Sequence, residues 1–458
     1  MQNDHNIGSA HSRERFRRVV QARRRYQFLR AIAIGIATGS LALLFQVSLW
    51  GVELARNSLL NWISNHSLLF LIPLFILIIA IGSFVAWFTV RFAPEASGSG
   101  IPHIKQVLEE HIQIRWLRLL IVKFVGGVLA IGSGFSLGRE GPTVQMGSAV
   151  GTAIAKILKS PLRERAHLIA CGAGAGLAGA FNAPLAGFIF VIEELRRGLT
   201  PMTYGTAFIS SLTAALITQL SLGQIPSFHV HEYPMPPLSA LPFFLVLGIT
   251  AGGVGVIFNR SLIKSIQLSN RYLKNAWLRG ALVALVVACA LWLLPEVSGS
   301  GQATAETILK GLIPRNGTIT FLLILLVGKI LLTCLSFASG VPGGIFAPML
   351  LIGAVLGALV GQLDHLLFPS IAPTVAAFSV VGMAAVVAAC VRAPLTAIVL
   401  ILEMTGNYSQ LFPLSVACLF AYLTAAILGS PPIYDALLHL KTDANATPLS
   451  PRDATTAS

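Results

Sequence analysis

The chain has 458 residues, of which 55% are hydrophobic and only 11% are charged, and its mean hydropathy is +0.77. A soluble domain carries about twice that share of charged residues, so the composition excludes a water-soluble protein and predicts an all-α protein that crosses a membrane several times. The formal net charge is +14, and much of it comes from arginines among the first thirty residues.

Residues 1–30 form a polar, strongly basic segment ahead of the first apolar run. An excess of arginine beside a first span places the N-terminus in the cytoplasm. The segment is not a cleavable signal peptide, whose charged part is short and whose apolar part ends at small residues. We interpret it as a determinant of topology that contacts lipid, in preference to an arm that binds nucleic acid.

The apolar runs that follow fall into two classes. One class approaches the length of about 20 residues that a bilayer requires: 31–50, 68–90, 205–222, 239–258, 281–294 and 318–338. The other class is interrupted by Gly and Pro: 117–131, 145–158, 182–192, 345–360, 374–390, 394–402 and 411–428. Backbone breaks at membrane depth persist only where protein or a wet cavity satisfies the freed polar groups, so this class predicts tilted, broken and half-spanning helices.

The chain contains an internal repeat. A shift of 206 residues places Gly138 on Gly344 and Pro142 on Pro348, so the positions of glycine and proline repeat as well as the hydrophobic pattern. Such half-repeats with interrupted helices predict a site at their interface near the bilayer midplane. The residues alone do not show whether the halves are parallel or inverted. The predicted segments are a first repeat at 31–225, a linker at 226–240, a second repeat at 241–438 and a disordered tail at 439–458.

Three Gly-rich loops are the candidate anion sites. They cover 97–102, 138–142 and 343–348, and each ends in proline followed by an apolar run. Proline suits the first turn of a helix and glycine lets backbone approach a ligand, so each loop predicts a helix N-terminus that points into the protein. Converging N-termini attract a halide without a trapping full charge, and Ser99 adds a hydroxyl. Ordinary kinks in membrane helices are the alternative for any single loop.

Glu140 lies inside the second of these loops. Ionised, its carboxylate would occupy an anion position, and protonated it would leave that position, which couples proton movement to anion movement. An ion pair with Arg139 that merely orders the loop is the alternative.

Other buried polar residues have less specific interpretations. Adjacent residues on a helix point about 100° apart, so either Glu193 or Glu194 can face inward while the other pairs elsewhere. Ion pairs of these glutamates with Arg196 and Arg197 are an equal alternative. The repeat-related Lys123 and Lys329 are expected to meet a carboxylate or an interface. Glu403, the repeat equivalent of Glu193, is interpreted as structural. The five cysteines form no C-x-x-C pair, so we expect neither a disulfide nor a metal site.

At the three loops the chain resembles the CLC family of chloride channels and chloride/proton antiporters. The motifs are GSGIP at 98–102, GREGP at 138–142 and GGIFAP at 343–348, and the resemblance extends from about residue 30 to residue 438. It implies two inverted halves and a homodimer with one pathway in each subunit. It implies no cofactor, and chloride as the bound substrate ion.

The resemblance also implies a role for each residue of the chloride site. By motif position, Ser99 and Tyr434 donate hydroxyls to a central chloride. The backbone N–H groups of Ile345 and Phe346 complete this site.

A second set of roles concerns protons. The loop from Arg139 to Gly141 forms an outer anion site, with Glu140 as the gate and external proton acceptor. Glu194 is the internal proton acceptor, which the family's antiporters commonly possess and its channels usually lack. The resemblance therefore implies exchange of two chlorides per proton, and Ser99, where nitrate-selective members tend to have proline, implies chloride.

The chain departs from the family pattern after GSGIP, where many members have an acidic residue and this chain has His103 and then Lys105. The cytoplasmic nucleotide-binding domains of many eukaryotic members are missing, which predicts a bacterial inner-membrane protein. A passive chloride channel of the same family is the alternative function. A membrane-embedded enzyme is a remote one, because the sequence has no H-E-x-x-H or G-x-S-G motif and therefore no catalytic residues to assign.

Overall fold

The computed structural model describes residues 3–110, 112–195, 201–224, 226–228, 230, 233–312, 318–368 and 373–445. Side chains are described from Tyr26 onward, apart from those of 162–163, 201–202 and 441–445. These residues form α-helices and short helical turns without a sheet. The helices are α1 Asn3–Asn65, α2 Leu71–Phe92, α3 Ile101–Glu110, α4 Trp116–Gly132, α5 Glu140–Ile157, α6 Leu162–Phe181, α7 Pro184–Phe190, α8 Pro201–Leu222, α9 Leu241–Tyr272, α10 Ala276–Leu293, α11 Gln302–Leu309, α12 Ile319–Ala338, α13 Phe346–Leu367, α14 Val375–Val391, α15 Pro394–Thr405, α16 Leu411–Ile427 and α17 Ile433–Asn445.

Eight of the described helices, some with the helical turn that precedes them, are long and apolar enough to cross a membrane. They are Tyr26–Asn65, Leu68–Phe92, Thr203–Leu222, Leu238–Tyr272, Ala276–Leu293, Ile319–Ala338, Phe346–Leu367 and Tyr408–Ile427. The chain is therefore an integral, multi-pass membrane protein. The basic arginines up to residue 25 lie where no side chains are described, although the backbone of α1 is continuous through them.

Two of the runs predicted to be interrupted are instead continuous helices that are long and apolar enough to cross a membrane, α13 and α16. In α13 the glycines serve close packing, since a Cβ on Gly353 would lie 2.4 Å from the carbonyl oxygen of Gly382 in α14. A Cβ on Gly357 would lie 2.2 Å from the carbonyl oxygen of Phe378. Small residues allow this backbone contact between membrane helices, so these glycines mark a packing face and not a break.

Other helices are too short to cross a bilayer. α3 has 10 residues, α7 has 7, α11 has 8 and α15 has 12, so at 1.5 Å per residue none reaches about 30 Å. The prediction of half-spanning helices is confirmed. A π-helical turn, Val191–Leu195, follows α7 and carries the adjacent acidic residues. The tail predicted to be disordered begins inside α17, which continues to Asn445, and residues 446–458 lie outside the described residues.

The two halves meet around an approximate two-fold axis. Gly138 donates its N–H to the carbonyl of Gly344, and Gly344 donates to the carbonyl of Gly138, both at 2.7 Å. These glycines are equivalent under the repeat, and a reciprocal pair of bonds between equivalent residues requires a local two-fold axis between them. The repeat therefore converges on the loops that begin α5 and α13.

A second reciprocal contact joins the halves. Glu193 accepts the backbone N–H groups of Leu395 and Thr396 at 3.1 and 2.7 Å, at the start of α15. Its equivalent Glu403 accepts those of Leu185 and Ala186 at 3.0 and 2.8 Å, at the start of α7. Each carboxylate satisfies the orphan donors and the positive end of the opposite half's helix. This confirms that one of the adjacent glutamates pairs away from its neighbour.

The repeat-related lysines anchor loops. Lys123 is fully buried and donates to the carbonyls of Ala96 and Gly98 at 2.8 and 2.5 Å. Lys329 is equally buried and donates to the corresponding carbonyls of Val297 and Gly299 at 2.9 and 2.8 Å. Full burial contradicts the alternative that these lysines reach an interface, because carbonyls that no helix satisfies bind the ammonium groups inside the protein. The other alternative, a carboxylate partner, stays a prediction.

Candidate functional site

The loop before α3 requires glycine on both sides of Ser99. Gly98 and Gly100 have φ of +66° and +85°, a region that other residues rarely adopt, and a Cβ on Gly100 would overlap Gln145 at 2.2 Å. Ser99 is 1% exposed, and its Oγ accepts the backbone N–H of Ile101 at 3.2 Å. Because Oγ is the acceptor in that bond, its own proton remains able to bind an anion.

The other two loops contact this one directly. Gly343 donates its N–H to the carbonyl of Gly98 at 3.0 Å. A Cβ on Gly141 would lie 2.8 Å from the carbonyl oxygen of Ser99. The N-termini of α3, α5 and α13 therefore come together inside the protein, as the three Gly-rich loops predict.

Glu140 lies over the N-terminus of α13. Its Oε2 accepts the backbone N–H of Ala347 at 3.4 Å, and the residue is 2% exposed. A Cβ on Gly138 would overlap this oxygen at 2.2 Å, so glycine there makes room for the carboxylate. Both Glu140 and Arg139 are described, and no ion pair within 4 Å joins them. The geometry favours the carboxylate as an occupant of an anion position over the ordering ion pair.

A cavity of about 540 Å³ has Glu140 in its lining. Arg139 lines it, is 7% exposed, and its Nε has no hydrogen-bond partner among the described residues. The lining also includes Arg56 and the acidic residues Glu53, Glu296 and Glu306. A buried guanidinium nitrogen without an acceptor attracts anions, which fits the outer site expected at Arg139 to Gly141.

The remaining residues expected at chloride are all buried. Tyr434 is fully buried, and its hydroxyl has no hydrogen-bond partner within the described parts of the chain. Ile345 immediately precedes α13 and Phe346 begins it, where backbone N–H groups have no acceptor one turn earlier. The ring of Phe346 packs against Phe181 with a centroid separation of 5.7 Å. An unpartnered buried hydroxyl requires an explanation, and an anion supplies one.

Two further cavities have different linings. One, of about 160 Å³, reaches Ser99 and is lined by Arg279, Phe337 and Leu437. The other, of about 250 Å³, is lined by acidic and basic side chains: Lys105, Glu193, Glu194, Arg392 and Asp435, together with Tyr422. Helices α3 and α17 contribute residues to both cavities.

Glu194 faces the second cavity and pairs with Lys105, which the sequence analysis identified only as a departure from the family pattern. Its Oε1 lies 2.8 Å from Nζ of Lys105, and the two side chains are 6% and 9% exposed. Lys105 also pairs with Asp435, next to Tyr434. Pairing with Arg196 and Arg197 falls outside the described residues. Asp435 was missed because only proximity in the fold connects it to Glu194.

Comparison with known proteins identifies the family. The family described as "Voltage gated chloride channel" matches residues 81–426, about three quarters of the chain. This chain belongs to that family. It is 40% identical over 420 residues to the H(+)/Cl(-) exchange transporter ClcA of Vibrio cholerae, covering 89% of this chain and 88% of the relative. It is 38% identical over 418 residues to ClcA of Salmonella arizonae, covering 90% and 87%.

Solved structures of the family share the fold. A slow cyanobacterial Cl-/H+ antiporter superposes with a TM-score of 0.86 at 35% identity, covering 91% of this chain and 97% of its own. A eukaryotic CLC transporter gives 0.77 at 24% identity, with coverages of 91% and 74%, and this likeness concerns the fold alone. The predicted class, an all-α polytopic membrane protein with two inverted repeats and broken helices, is confirmed.

Proposed function

We propose that this chain is a secondary active transporter that exchanges chloride for protons. The observation that carries the proposal is the carboxylate of Glu140 at the N-terminus of α13, with a second buried carboxylate, Glu194, on the inner side. Relatives named as H(+)/Cl(-) exchange transporters support the same reaction. The chain is proposed to act as a transporter and not as an enzyme.

Helix ends attract chloride with moderate strength. Each N-terminus carries roughly half a positive charge, which at about 4.5 Å and an effective dielectric of about 20 attracts an anion by about 2 kcal/mol. Two such ends give about 4 kcal/mol, close to a millimolar dissociation constant if hydroxyl and N–H donors offset dehydration. A site of this strength binds chloride and still releases it.

The proposed central site has four donors. Ser99 and Tyr434 supply hydroxyls from the start of α3 and α17, and Ile345 and Phe346 supply backbone N–H groups at the start of α13. The chloride is expected to lose its water here because these donors replace its hydration shell. Ser99 supports chloride as the physiological anion.

Glu140 is proposed to alternate with the anion. Its ionised carboxylate occupies the position beside Ala347, and the residues from Arg139 to Gly141 hold the outer anion. Protonation removes the charge, so the side chain leaves and chloride enters from the outer cavity. Glu194 exchanges protons with the inner solution, and we propose a stoichiometry of two chlorides per proton.

The assembly and placement follow the same proposal. Exposed apolar side chains on α8 and α16, including Leu216 and Leu419, provide apolar surface for lipid or for a second copy, and we propose a homodimer. We place the protein in a bacterial inner membrane with the basic segment 1–30 in the cytoplasm. No cofactor, metal or nucleic acid is proposed to take part, with membrane lipid, chloride and protons as the partners.

Flux measurements in liposomes test the proposed exchange against a passive channel. An imposed chloride gradient is expected to drive protons uphill in vesicles containing the wild-type protein. Glu140→Gln and Glu194→Gln are each expected to abolish proton movement while chloride still passes. Glu109→Gln, an exposed glutamate on α3, is the matched control and is expected to pump normally. Chloride flux without any uphill proton movement in the wild type would establish the channel instead.

A further inference from the structure

Lys105 is the shared cation of two carboxylates that belong to different helices. Its Nζ contacts Oε1 of Glu194 on the π-helical turn and Oδ1 of Asp435 on α17. Lys105 and Glu194 are 9% and 6% exposed, whereas Asp435 is 27% exposed at the cavity. A buried lysine retains its charge only when carboxylates offset the loss of water, so the three groups act as one unit.

Two members of this unit, Lys105 and Asp435, are close in sequence to a proposed chloride-binding residue. Lys105 lies on α3 one turn after Ile101, whose N–H is held by Ser99. Asp435 directly follows Tyr434 on the first turn of α17, and α17 packs against α3. The ion cluster therefore connects α17, which carries the Tyr434 hydroxyl, to α3, which begins two residues after Ser99.

We propose that Lys105 is a positioning residue that couples the proton state of Glu194 to the two helices carrying the chloride-binding hydroxyls. The inference rests on the proposed chloride/proton exchange and assigns it an inner coupling element. In this scheme Lys105 does not touch chloride; it acts through the positions of α3 and α17.

The charge of the cluster changes with the proton. With both carboxylates ionised, Lys105, Glu194 and Asp435 carry a net charge of −1, and protonation of Glu194 brings it to zero. Lys105 then interacts with Asp435 alone, which tightens the contact between α3 and α17. An incoming chloride also meets less repulsion, so inner chloride access and proton loading favour each other.

Two other charged side chains, Glu193 and Arg392, face the same cavity. Glu193 is held by the start of α15, and the guanidinium of Arg392 donates to the carbonyls of Tyr422 and Ser430. The guanidinium of Arg392 also lies 5.0 Å from the ring centroid of Tyr422. Both side chains are therefore bound to partners other than Lys105. Within the described part of the chain, Lys105 is the cation in contact with Glu194, at 2.8 Å.

Lys105→Met tests the proposal, because methionine keeps the length and removes the charge. In liposomes we expect at least about threefold fewer protons per chloride, since the cluster no longer links proton loading to chloride entry. The pH above which proton flux declines is expected to rise by about one pH unit. The reason is that the ammonium group of Lys105 favours the ionised form of Glu194, and this effect is lost in the variant. Lys105→Arg is expected to restore both the ratio and the pH profile.

Two further variants separate positioning from folding. Lys264→Met, which removes an exposed lysine from α9, is the matched control and is expected to match the wild type. Asp435→Asn keeps the pair between Lys105 and Glu194 but frees α17, so we expect weaker chloride binding by calorimetry. If Lys105→Met fails to fold, the positioning role is tested by the other two variants. It predicts a normal ratio and pH profile for Lys105→Arg and weaker chloride binding for Asp435→Asn.

The outcomes distinguish this inference from the proposed function. A wild type that pumps protons, with a Lys105→Met variant of unchanged ratio and pH profile, overturns the inference alone. Equal losses of both fluxes at a constant ratio also overturn it, because they indicate a purely structural lysine. A wild type that moves no protons uphill overturns the proposed function itself.

Discussion

Tyr434 carries a buried hydroxyl that the protein leaves unsatisfied. Its side chain is fully buried, and no described residue accepts or donates a hydrogen bond at its oxygen. A hydroxyl in such a place costs free energy unless a ligand binds it. Its position on the first turn of α17 therefore indicates a functional constraint and not a contribution to stability.

Tyr434→Phe is expected to weaken chloride binding by about tenfold, because one hydrogen bond to a charged ligand is lost. The variant is expected to unfold at the same temperature as the wild type or slightly higher, since it loses no partner within the protein. Calorimetric titration with chloride measures the affinity, and thermal unfolding in detergent measures the unfolding temperature. Tyr408→Phe, at an exposed tyrosine before α16, is the control. Unchanged chloride affinity would remove Tyr434 from the site.

The helices are held together by glycines whose roles differ according to what faces them. Gly357 in α13 faces the backbone of α14, with only 2.2 Å between its ideal Cβ position and the carbonyl oxygen of Phe378. Gly253 in α9 has no heavy atom within 4 Å of the same position. Both glycines lie inside helices, so alanine has the same advantage in helix propensity at either position. A difference between the two substitutions therefore reports on packing.

Gly357→Ala is expected to lower the free energy of unfolding by about 1–3 kcal/mol, because α13 and α14 must separate. Gly253→Ala is the matched substitution and is expected to be neutral or to stabilise by up to about 1 kcal/mol. Thermal or denaturant unfolding in detergent measures both. Equal effects of the two substitutions would contradict the packing role assigned to Gly357.

At the scale of the whole molecule, the repeat explains what the sequence could predict. Repeated glycines and prolines are visible in one chain, so the three converging helix ends and the half-spanning helices could be predicted. Contacts between distant residues could not. Nothing in the sequence shows that the carbonyls of Ala96 and Gly98 bind Lys123, or that Lys105 joins Glu194 to Asp435.

The errors of the sequence interpretation have a common physical cause. Gly and Pro predict breaks in the run 345–360, but Pro348 lies in the first turn of α13 and the later glycines pack against α14. The same residue types serve as helix starts, breaks and packing surfaces, and only the facing element decides among them. Glu193 and Glu194 illustrate the point, since one caps α15 and the other meets Lys105.

In the proposed exchange, a bare anion and the carboxylate of Glu140 share one position. Crystals grown in bromide test this directly by anomalous diffraction. The wild type is expected to show a bromide between Ser99, Tyr434 and the start of α13, and Glu140→Gln is expected to show a second one beside the N–H of Ala347. No bromide at these helix ends, or an identical pattern in both proteins, would contradict the account.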